Sequence, residues 1–393
     1  MLYAQYGHQP SDKVTEGLKR GLLNGVVLEP RTHQPEKLKE VIAEIREIAP
    51  KADLLFDTNF HALSLPAQDS IGKIGSYPFY YASLASRLDF TSKKISEYVS
   101  KVCDYQTENK FSKILSPSVI FASFTSYWAQ IAIQLYLESL DYAKKKGFDS
   151  KLLLTLPIGE SALREDKQLS DFLDDLTTIE TRGFFIIVDR STQNAPQWSD
   201  PTTLSGLLYM INVLSENDYE VVLGHTDLVG VLAKAVGANS IANGWWKNLK
   251  QFSRNRYMGK RGGRPPRPTY TSETLLNSVF IDPELQQITE LGLAEEIMAL
   301  DKYDKTLKSD PVSQTWTRTD SALQHWSVTK KLLEKIDDSQ PLETRIETVK
   351  DLINDAQTAY SEARKKGVGF DYISGPAHLK VWLDAINLFQ QGL

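Results

Sequence analysis

Three carboxylates in the sequence, Glu29, Asp57 and Asp189, each directly follow a short apolar run. Two carboxyl groups that flank one substrate bond can act as general acid and general base, provided that burial and neighbouring charges separate their pKa values. His225 ends a fourth apolar run and could act as a general base or contact a phosphate. We rank Asp189 first among these four catalytic candidates, because it ends the longest and most apolar run, and Asp57 second.

A structural role for the same residues is the competing interpretation. Glu29 could pair with Arg31, and Asp189 with Arg190, to hold the ends of loops, and His225 could be a hydrogen-bonded core histidine. The geometry separates the two interpretations, since catalytic side chains must converge on one pocket and structural ion pairs need not.

The apolar runs alternate with segments of helical periodicity, such as residues 36–48. Alternating strands and helices favour parallel pairing with right-handed crossovers. Eight such units are typical of an α/β protein with a closed (β/α)8 barrel of the TIM type, in which all strand ends meet at one face; a doubly wound open sheet is the alternative. We expect strands near residues 2–6, 25–29, 53–57, 118–123, 151–156, 183–189, 220–224 and 240–243.

The distribution of patterns predicts three regions. Residues 1–258 form the barrel, with an insertion at about 60–117 after the third strand. Residues 259–270 form a basic connector, whose sequence GKRGGRPPRP is too rich in glycine and proline for a helix or a central strand. Residues 271–393 have helical periodicity and form a C-terminal helical extension.

The strand ends also predict a ligand site. Gly224 and Gly244 lie at the ends of the last two strands, where backbone amides of such barrels often approach a phosphate. A flavin or another phosphorylated cofactor at strands seven and eight is therefore a third hypothesis, although no cofactor is predicted. The expected ligand-binding residues are Arg31, Asn59, Arg190, Gly224, Asn243, Gly244, Trp245 and Lys247.

A basic stretch without any Asp or Glu extends from residue 228 to residue 272. Cations interleaved with aromatic side chains are used to bind phosphates and single-stranded nucleic acid. The alternative is a helix that packs its aromatic side chains on the barrel and leaves its charges in water. We expect a polyanion to contact Arg254, Arg256, Lys260, Arg261, Arg264 and Arg267.

Composition excludes several classes of protein. The 393 residues carry a formal net charge of −5, with 41% hydrophobic and 24% charged residues, as in a globular protein. The single cysteine, Cys103, rules out a disulfide framework and a zinc site built from several thiolates. Asp57, His61 and His225 lack any metal-ligand spacing, so no metal is predicted. The first residues are neither a signal nor a transit peptide, and no run reaches the roughly 18 apolar residues that span a bilayer; we expect a cytoplasmic protein that does not bind membranes.

These features define two functional hypotheses. The first is a barrel enzyme, a hydrolase or transferase that acts on a nucleotide, sugar phosphate or nucleic acid by carboxylate chemistry, with glycosyl or N-glycosyl transfer or hydrolysis as one reaction class. Strand-end carboxylates beside a basic surface resemble the tRNA-guanine transglycosylases at the level of the fold, although one cysteine cannot supply the thiolate-rich zinc site of such enzymes. The second is a non-catalytic barrel that binds nucleic acid or a partner protein through its connector and C-terminal helices.

Overall fold

A computed structural model describes residues 1–7, 12–66, 68–190, 197–198, 200–259, 267–298, 302–308 and 310–392. In these residues eight strands pair side by side in the order β3-β2-β1-β8-β7-β6-β5-β4, and every pair is parallel. The strands are β1 (Leu2–Gln5), β2 (Gly25–Leu28), β3 (Asp53–Phe56), β4 (Ile114–Leu115), β5 (Leu152–Gly159), β6 (Gly183–Asp189), β7 (Glu220–Thr226) and β8 (Ser240–Asn243).

The two edge strands, β3 and β4, nearly close this sheet into a barrel. The backbone N–H of Ser112 donates to the Leu54 carbonyl at 3.0 Å, and the Leu54 N–H donates to the Ser112 hydroxyl at 2.7 Å. These bonds join β3 to the residue pair just before β4. The fold is therefore the (β/α)8 barrel that the sequence predicts, and that prediction is confirmed.

The fourth strand is the one strand that the sequence placed wrongly. It was expected at residues 118–123, but the ladder with β5 forms at Ile114 and Leu115. Pro117 follows shortly after and has no N–H to donate, so the ladder stops there. The apolar run beyond it contributes one isolated bridge, between Phe121 and Ile158.

Helices alternate with the strands around the barrel. Helix α4 shows how local sequence sets their bounds, because the Ser126 hydroxyl accepts from the Ala129 N–H at its start and Gly147 adopts a left-handed φ of 76° at its end. The helices up to residue 250 are α1 (Lys13–Lys19), α2 (Pro35–Ile48), α3 (Ser92–Glu108), α4 (Tyr127–Lys146), α5 (Asp166–Leu176), α6 (Pro201–Glu216), α7 (Gly230–Ala235) and α8 (Lys247–Lys250).

The C-terminal region packs against the outside of the barrel. It begins with an antiparallel hairpin, β9 (Thr269–Ser272) and β10 (Asn277–Phe280), where the sequence predicted the start of a helical extension at residue 271. Its helices are α9 (Gln286–Glu290), α10 (Ala294–Ile297), α11 (Arg318–Glu334), α12 (Leu342–Lys365) and α13 (Ala377–Gly392). Helix α11 contacts α1 and β9, α12 contacts α7, and α13 contacts α6. The division of the chain into domains stays a prediction.

Strand register decides which side chains enter the barrel. Tyr3 pairs with Gly25 and Gly25 with Asp53, and the Tyr3 hydroxyl donates to the Asp53 carboxylate across the interior at 2.6 Å. Because side chains alternate along a strand, the same inward row continues through Gln5 and reaches Glu29 and Asp57 at the carboxyl ends of β2 and β3. In the described part of the chain, no helix combines the length and apolar character needed to cross a membrane.

Candidate active site at the barrel mouth

The mouth of the barrel is covered by the segment that follows α8. We call residues 251–258 the mouth strap. The Arg190 N–H donates to the Phe252 carbonyl at 3.1 Å, which joins the strap to the end of β6. Arg31 donates to the Arg256 carbonyl at 3.1 Å, which joins it to the loop after β2. Phe252 and Tyr257 are buried, so the strap seals the carboxyl ends of the strands.

Two arginines of the mouth strap pair with two of the three predicted carboxylates. Arg256 donates from Nη2 to both oxygens of Glu29, at 2.8 and 3.0 Å. Arg254 binds Asp189 through its backbone N–H at 2.6 Å and also through its side chain. The expected partners, Arg31 for Glu29 and Arg190 for Asp189, are thus replaced by strap residues.

These pairs also bear on the predicted polyanion site. Arg254 and Arg256 direct their charges to Asp189 and Glu29 inside the molecule, and Arg256 is almost fully buried, with a side-chain exposure of 7%. Both side chains are thus engaged by carboxylates of the chain itself, and a polyanion contact by either arginine stays a prediction. Arg267 pairs with Asp371 at 3.4 Å and remains exposed. Lys260, Arg261 and Arg264 lie outside the described residues, and for them the contact stays a prediction.

Buried polar side chains gather beneath the mouth strap. We call this set the mouth cluster; its members are Gln5, Glu29, Asp57, Asn59, His61, His225 and Arg256, and the first six are at most 6% exposed. The charge of Arg256 reaches the titratable members of the cluster, because it acts to lower the pKa values of Glu29, Asp57, His61 and His225. The structure thus brings three of the four catalytic candidates, Glu29, Asp57 and His225, together around one guanidinium.

Several atoms of the mouth cluster are buried without a hydrogen-bond partner among the described residues. They include both amide atoms of Gln5, Oδ2 of Asp57, and Nε and Nη1 of Arg256. Leaving one buried polar atom unpaired costs about 1–3 kcal/mol, so native proteins rarely collect several in one place. A polar molecule, water or ligand, that sits among them would satisfy them. The cluster therefore has the properties of a binding site.

Asp57 differs from the other two carboxylates in how its oxygens are used. Its Oδ1 accepts from the backbone N–H of Asn59 at 2.9 Å, while Oδ2 has no partner in the described residues. Asn59 itself adopts a left-handed φ of 51°, a conformation that asparagine tolerates better than most residues. Asp57 thus has one fixed oxygen and one that is available to exchange a proton.

Burial dominates the electrostatics of the mouth cluster. It raises the pKa of Asp57 to about 6, with the amide groups of Asn59 and the charge of Arg256 acting in the opposite direction. It also raises the pKa of Glu29, which the neighbouring Arg256 opposes. Burial, assisted by Arg256, lowers the pKa of His61 to about 3 and that of His225 well below its ordinary value. Both histidines are therefore neutral near pH 7.

The predicted glycines at strands seven and eight have a packing role in this structure. A Cβ atom on Gly224 would lie 2.7 Å from the Phe185 ring, and one on Gly244 would lie 2.3 Å from Cβ of Leu249. The space that a side chain would occupy at these two positions is filled by protein atoms, so packing alone accounts for glycine there. A phosphate contact by their backbone amides stays a prediction. Asn243 points outward, where its amide contacts His325 at 3.2 Å.

The remaining predicted ligand residues lie around the mouth. Arg31 donates to the Ser70 carbonyl and to the strap, and so holds two loops together. Arg190 stacks on Trp198 at 4.6 Å and lies 4.0 Å from Glu160. Trp245 and Lys247 line a pocket beside the strap.

One polar group near the mouth was not predicted from the sequence. Asp227, just after β7, is 2% exposed and lies 3.2 Å from Lys250 and 3.4 Å from His325 of α11. His325 comes from the C-terminal region, and no motif in the sequence connects it with the barrel. Among the described residues, no group of three or more His, Cys, Asp or Glu could hold a metal ion.

Comparisons with known proteins identify no family. No protein-family model matches the chain, and no curated protein is similar to it. Among solved structures it is similar to dihydrodipicolinate synthase from Bacillus clausii, at a TM-score of 0.33 and 9% identity, over 99% of this chain and 96% of that one. It is also similar to the carboxyl transferase domain of Rhizobium etli pyruvate carboxylase with oxalate, at a TM-score of 0.35 and 10% identity, over 100% of this chain and 78% of that one. Likeness at this level assigns no activity.

Proposed function

We propose that the chain is a barrel enzyme and that Asp57 is its general acid or base. The proposal depends on the environment of the Asp57 carboxyl group. Its Oδ2 is buried and has no partner in the described residues, and its pKa is raised to about 6. An acid–base catalyst works best when its pKa lies near the working pH, because both protonation states are then populated. Asp57 meets this condition at a site that the mouth strap covers.

The other members of the mouth cluster supply positioning in this proposal. Glu29 holds the Arg256 guanidinium in place, and the two guanidinium atoms without a partner in the described residues, Nε and Nη1, can donate to a bound substrate. Gln5 can both donate and accept, which suits the hydroxyl or amide groups of a small polar molecule. The site thus fits a compact substrate that is rich in hydrogen-bonding groups.

The finer parts of the hypothesis concern the substrate and the reaction. A phosphate-bearing compound, with hydrolysis or transfer of a glycosyl or N-glycosyl group, remains the reaction class that we propose. Such cleavage needs a carboxylic acid that still holds its proton near neutral pH, as a carboxyl with a pKa of about 6 does in part. Binding of nucleic acid or a partner protein through the connector and the C-terminal helices stays a separate hypothesis, because Lys260, Arg261 and Arg264 lie outside the described residues.

The test is a substrate screen with two matched variants. Phosphorylated sugars, nucleosides and nucleotides are incubated with the parent protein, with Asp57→Asn and with Asp189→Asn, and consumption is followed by mass spectrometry. We expect a compound that the parent consumes with a pH inflection near 6 and that Asp57→Asn consumes at least about a hundredfold more slowly. Asp189→Asn removes a charge paired with the strap, and we expect it to lower stability more than turnover. Equal turnover by Asp57→Asn and the parent, or no consumption by the parent, would refute the proposal.

A further inference from the structure

A second pocket lies beside the mouth strap and is built jointly by the barrel and the C-terminal region. Its volume is about 280 Å³, and none of its lining residues belongs to the mouth cluster. Trp246, Lys247 and Lys250 form the barrel side. The opposite side comes from the hairpin β9–β10 and the start of α11.

Positive charge dominates this pocket. The four cations that line it are Lys247, Lys250, Arg267 and Arg318, and Asp227 is the carboxylate among its lining residues. Asp227 pairs with Lys250 at 3.2 Å, and Asp371 pairs with Arg267 at 3.4 Å. In the described ranges neither Lys247 nor Arg318 forms an ion pair, so two positive charges face the pocket uncompensated.

The state of Lys247 shows the same excess of positive charge. Burial lowers its pKa, and the positive charge of Arg190 lowers it further. An anion bound next to Lys247 would oppose both effects on the pKa, because it would stabilise the charged ammonium. A pocket with this charge balance favours a negatively charged ligand.

Aromatic rings and guanidinium groups line the pocket, so we expect the ligand to contain a planar ring. The Arg318 guanidinium lies over the Trp246 ring at 5.2 Å, and the Arg267 guanidinium lies over the Phe280 ring at 3.6 Å. Rings and guanidinium planes of this kind stack on planar ligands such as nucleobases. Trp245 adds an indole N–H that is buried and unpartnered among the described residues.

A buried acceptor also points to a specific ligand. Gln197 lines the pocket, is 5% exposed, and donates to the Asn277 side chain at 3.0 Å, while its Oε1 has no partner in the described residues. That oxygen needs a donor, such as the amino group of a base or a sugar hydroxyl.

We propose that this pocket binds a phosphorylated ring compound of the nucleoside monophosphate class. The phosphate contacts Lys247 and Arg318, and the ring lies against the aromatic surfaces within reach of Gln197. The volume of about 280 Å³ is at the small end of ligand sites and excludes a polymer held entirely within it. The C-terminal region is then part of a ligand site as well as a support for the barrel.

The test measures binding, so it does not depend on the catalytic proposal. The four common nucleoside monophosphates (AMP, GMP, CMP and UMP), together with adenosine, ribose 5-phosphate and inorganic phosphate, are titrated by calorimetry and by tryptophan fluorescence at low salt. We expect at least one monophosphate to bind at least tenfold more tightly than inorganic phosphate and than ribose 5-phosphate. If that monophosphate is AMP, it should also bind at least tenfold more tightly than adenosine. The double variant Lys247→Gln/Arg318→Gln should weaken that binding at least tenfold. Both residues lie at the surface, and the Lys247 ammonium is only partly buried, so circular dichroism should show an unchanged fold.

Two control variants make the outcome interpretable. Lys380→Gln removes an exposed lysine of α13 and should leave binding unchanged. Asp57→Asn should also bind normally, which keeps a failure of this proposal distinct from a failure of the catalytic one. The absence of binding by every monophosphate at millimolar concentration, or equal binding by the double variant and the parent, would overturn the proposal.

Discussion

At the scale of single residues, the choice of partner decides which carboxylate can do chemistry. Asp189 and Glu29 each have both oxygens engaged by strap arginines, whereas Asp57 keeps Oδ2 without a partner in the described residues. The paired carboxylates fix the strap over the mouth, and the unpaired one lies beneath it. Pairing and burial together therefore move Asp57 ahead of Asp189 as the catalytic candidate.

The raised pKa of Asp57 predicts how stability depends on pH. Burial moves its pKa from 3.8 to about 6, so the folded state prefers the protonated form, and the stability that this group contributes is lost as the pH rises through that range. A shift of about two pKa units corresponds to roughly 3 kcal/mol. Asp57→Asn removes the ionisation and keeps the acceptor for Asn59. Urea unfolding at pH 4.5 and pH 8 should show the variant gaining stability relative to the parent as the pH rises; a difference that does not change with pH would contradict this.

The buried pair of Glu29 and Arg256 predicts a large effect from a single substitution. Arg256→Met leaves a carboxylate buried without its cation, which typically costs about 3–5 kcal/mol. Arg254→Met is the matched comparison, because that side chain is 35% exposed and Asp189 keeps its bond to the Arg254 backbone N–H. Urea unfolding at pH 7.5 should show the larger loss for Arg256→Met and a partial recovery in Glu29→Gln/Arg256→Met. Equal losses for the two single variants would count against the buried pair.

At the scale of elements, the periodicity of apolar residues and the positions of the strand ends were enough to predict most of the barrel. Seven of the eight strands lie where apolar runs placed them, and the inward row through Glu29 and Asp57 follows from strand alternation. The fourth strand was misplaced, because a run of apolar residues does not reveal where Pro117 interrupts a ladder. The arginine partners could not be predicted, since they lie 65 and 227 residues away from their carboxylates.

The packing of Gly224 against Phe185 predicts the effect of one added methyl group. Gly224→Ala would place Cβ 2.7 Å from the ring, and overpacking of this kind typically costs about 1–3 kcal/mol. Phe185→Leu removes the ring atoms that the new Cβ would meet. The double variant Gly224→Ala/Phe185→Leu should therefore lose less stability than the two single variants lose in total. Gly75→Ala, whose Cβ would meet no atom within 4 Å, is the control. If Gly224→Ala weakened phosphate binding and left stability unchanged, the ligand-contact role predicted from the sequence would be correct instead.

At the scale of the whole molecule, one hydrophobic core joins the barrel to the C-terminal helices. Trp326 of α11 meets Trp245 just after β8 at 5.8 Å, and Asn243 and Asp227 contact His325 on the same helix. A continuous core of this kind favours unfolding as one unit. Titratable groups anywhere in this core then affect the same transition.

Four buried histidines predict a loss of stability in mild acid. The pKa of His61 is lowered to about 3 and that of His378 to about 4, and the pKa values of His225 and His325 are well below normal, in each case chiefly because of burial. A histidine with a lowered folded-state pKa contributes stability above about pH 6.5, and this is lost as the pH falls. Each such histidine changes the free energy of unfolding by about 1.4 kcal/mol per pH unit below that point. Asp57 and Glu29, whose pKa values are raised, act in the opposite direction over part of the range, but two groups do not offset four.

Urea unfolding at pH 7.5, 6.5 and 5.5 measures this effect on the whole chain. We expect circular dichroism and tryptophan fluorescence to report the same midpoint at each pH, because the core is continuous. That midpoint should fall steeply between pH 6.5 and 5.5, where the unfolded chain takes up protons that the folded chain excludes. His61→Gln removes one of the four groups and should make the decline shallower by at least about one quarter, because the carboxyl groups that oppose the histidines remain. A midpoint that stays constant or rises toward pH 5.5 would show that these histidines are charged in the folded protein, and two separate midpoints would show that the C-terminal region unfolds independently of the barrel.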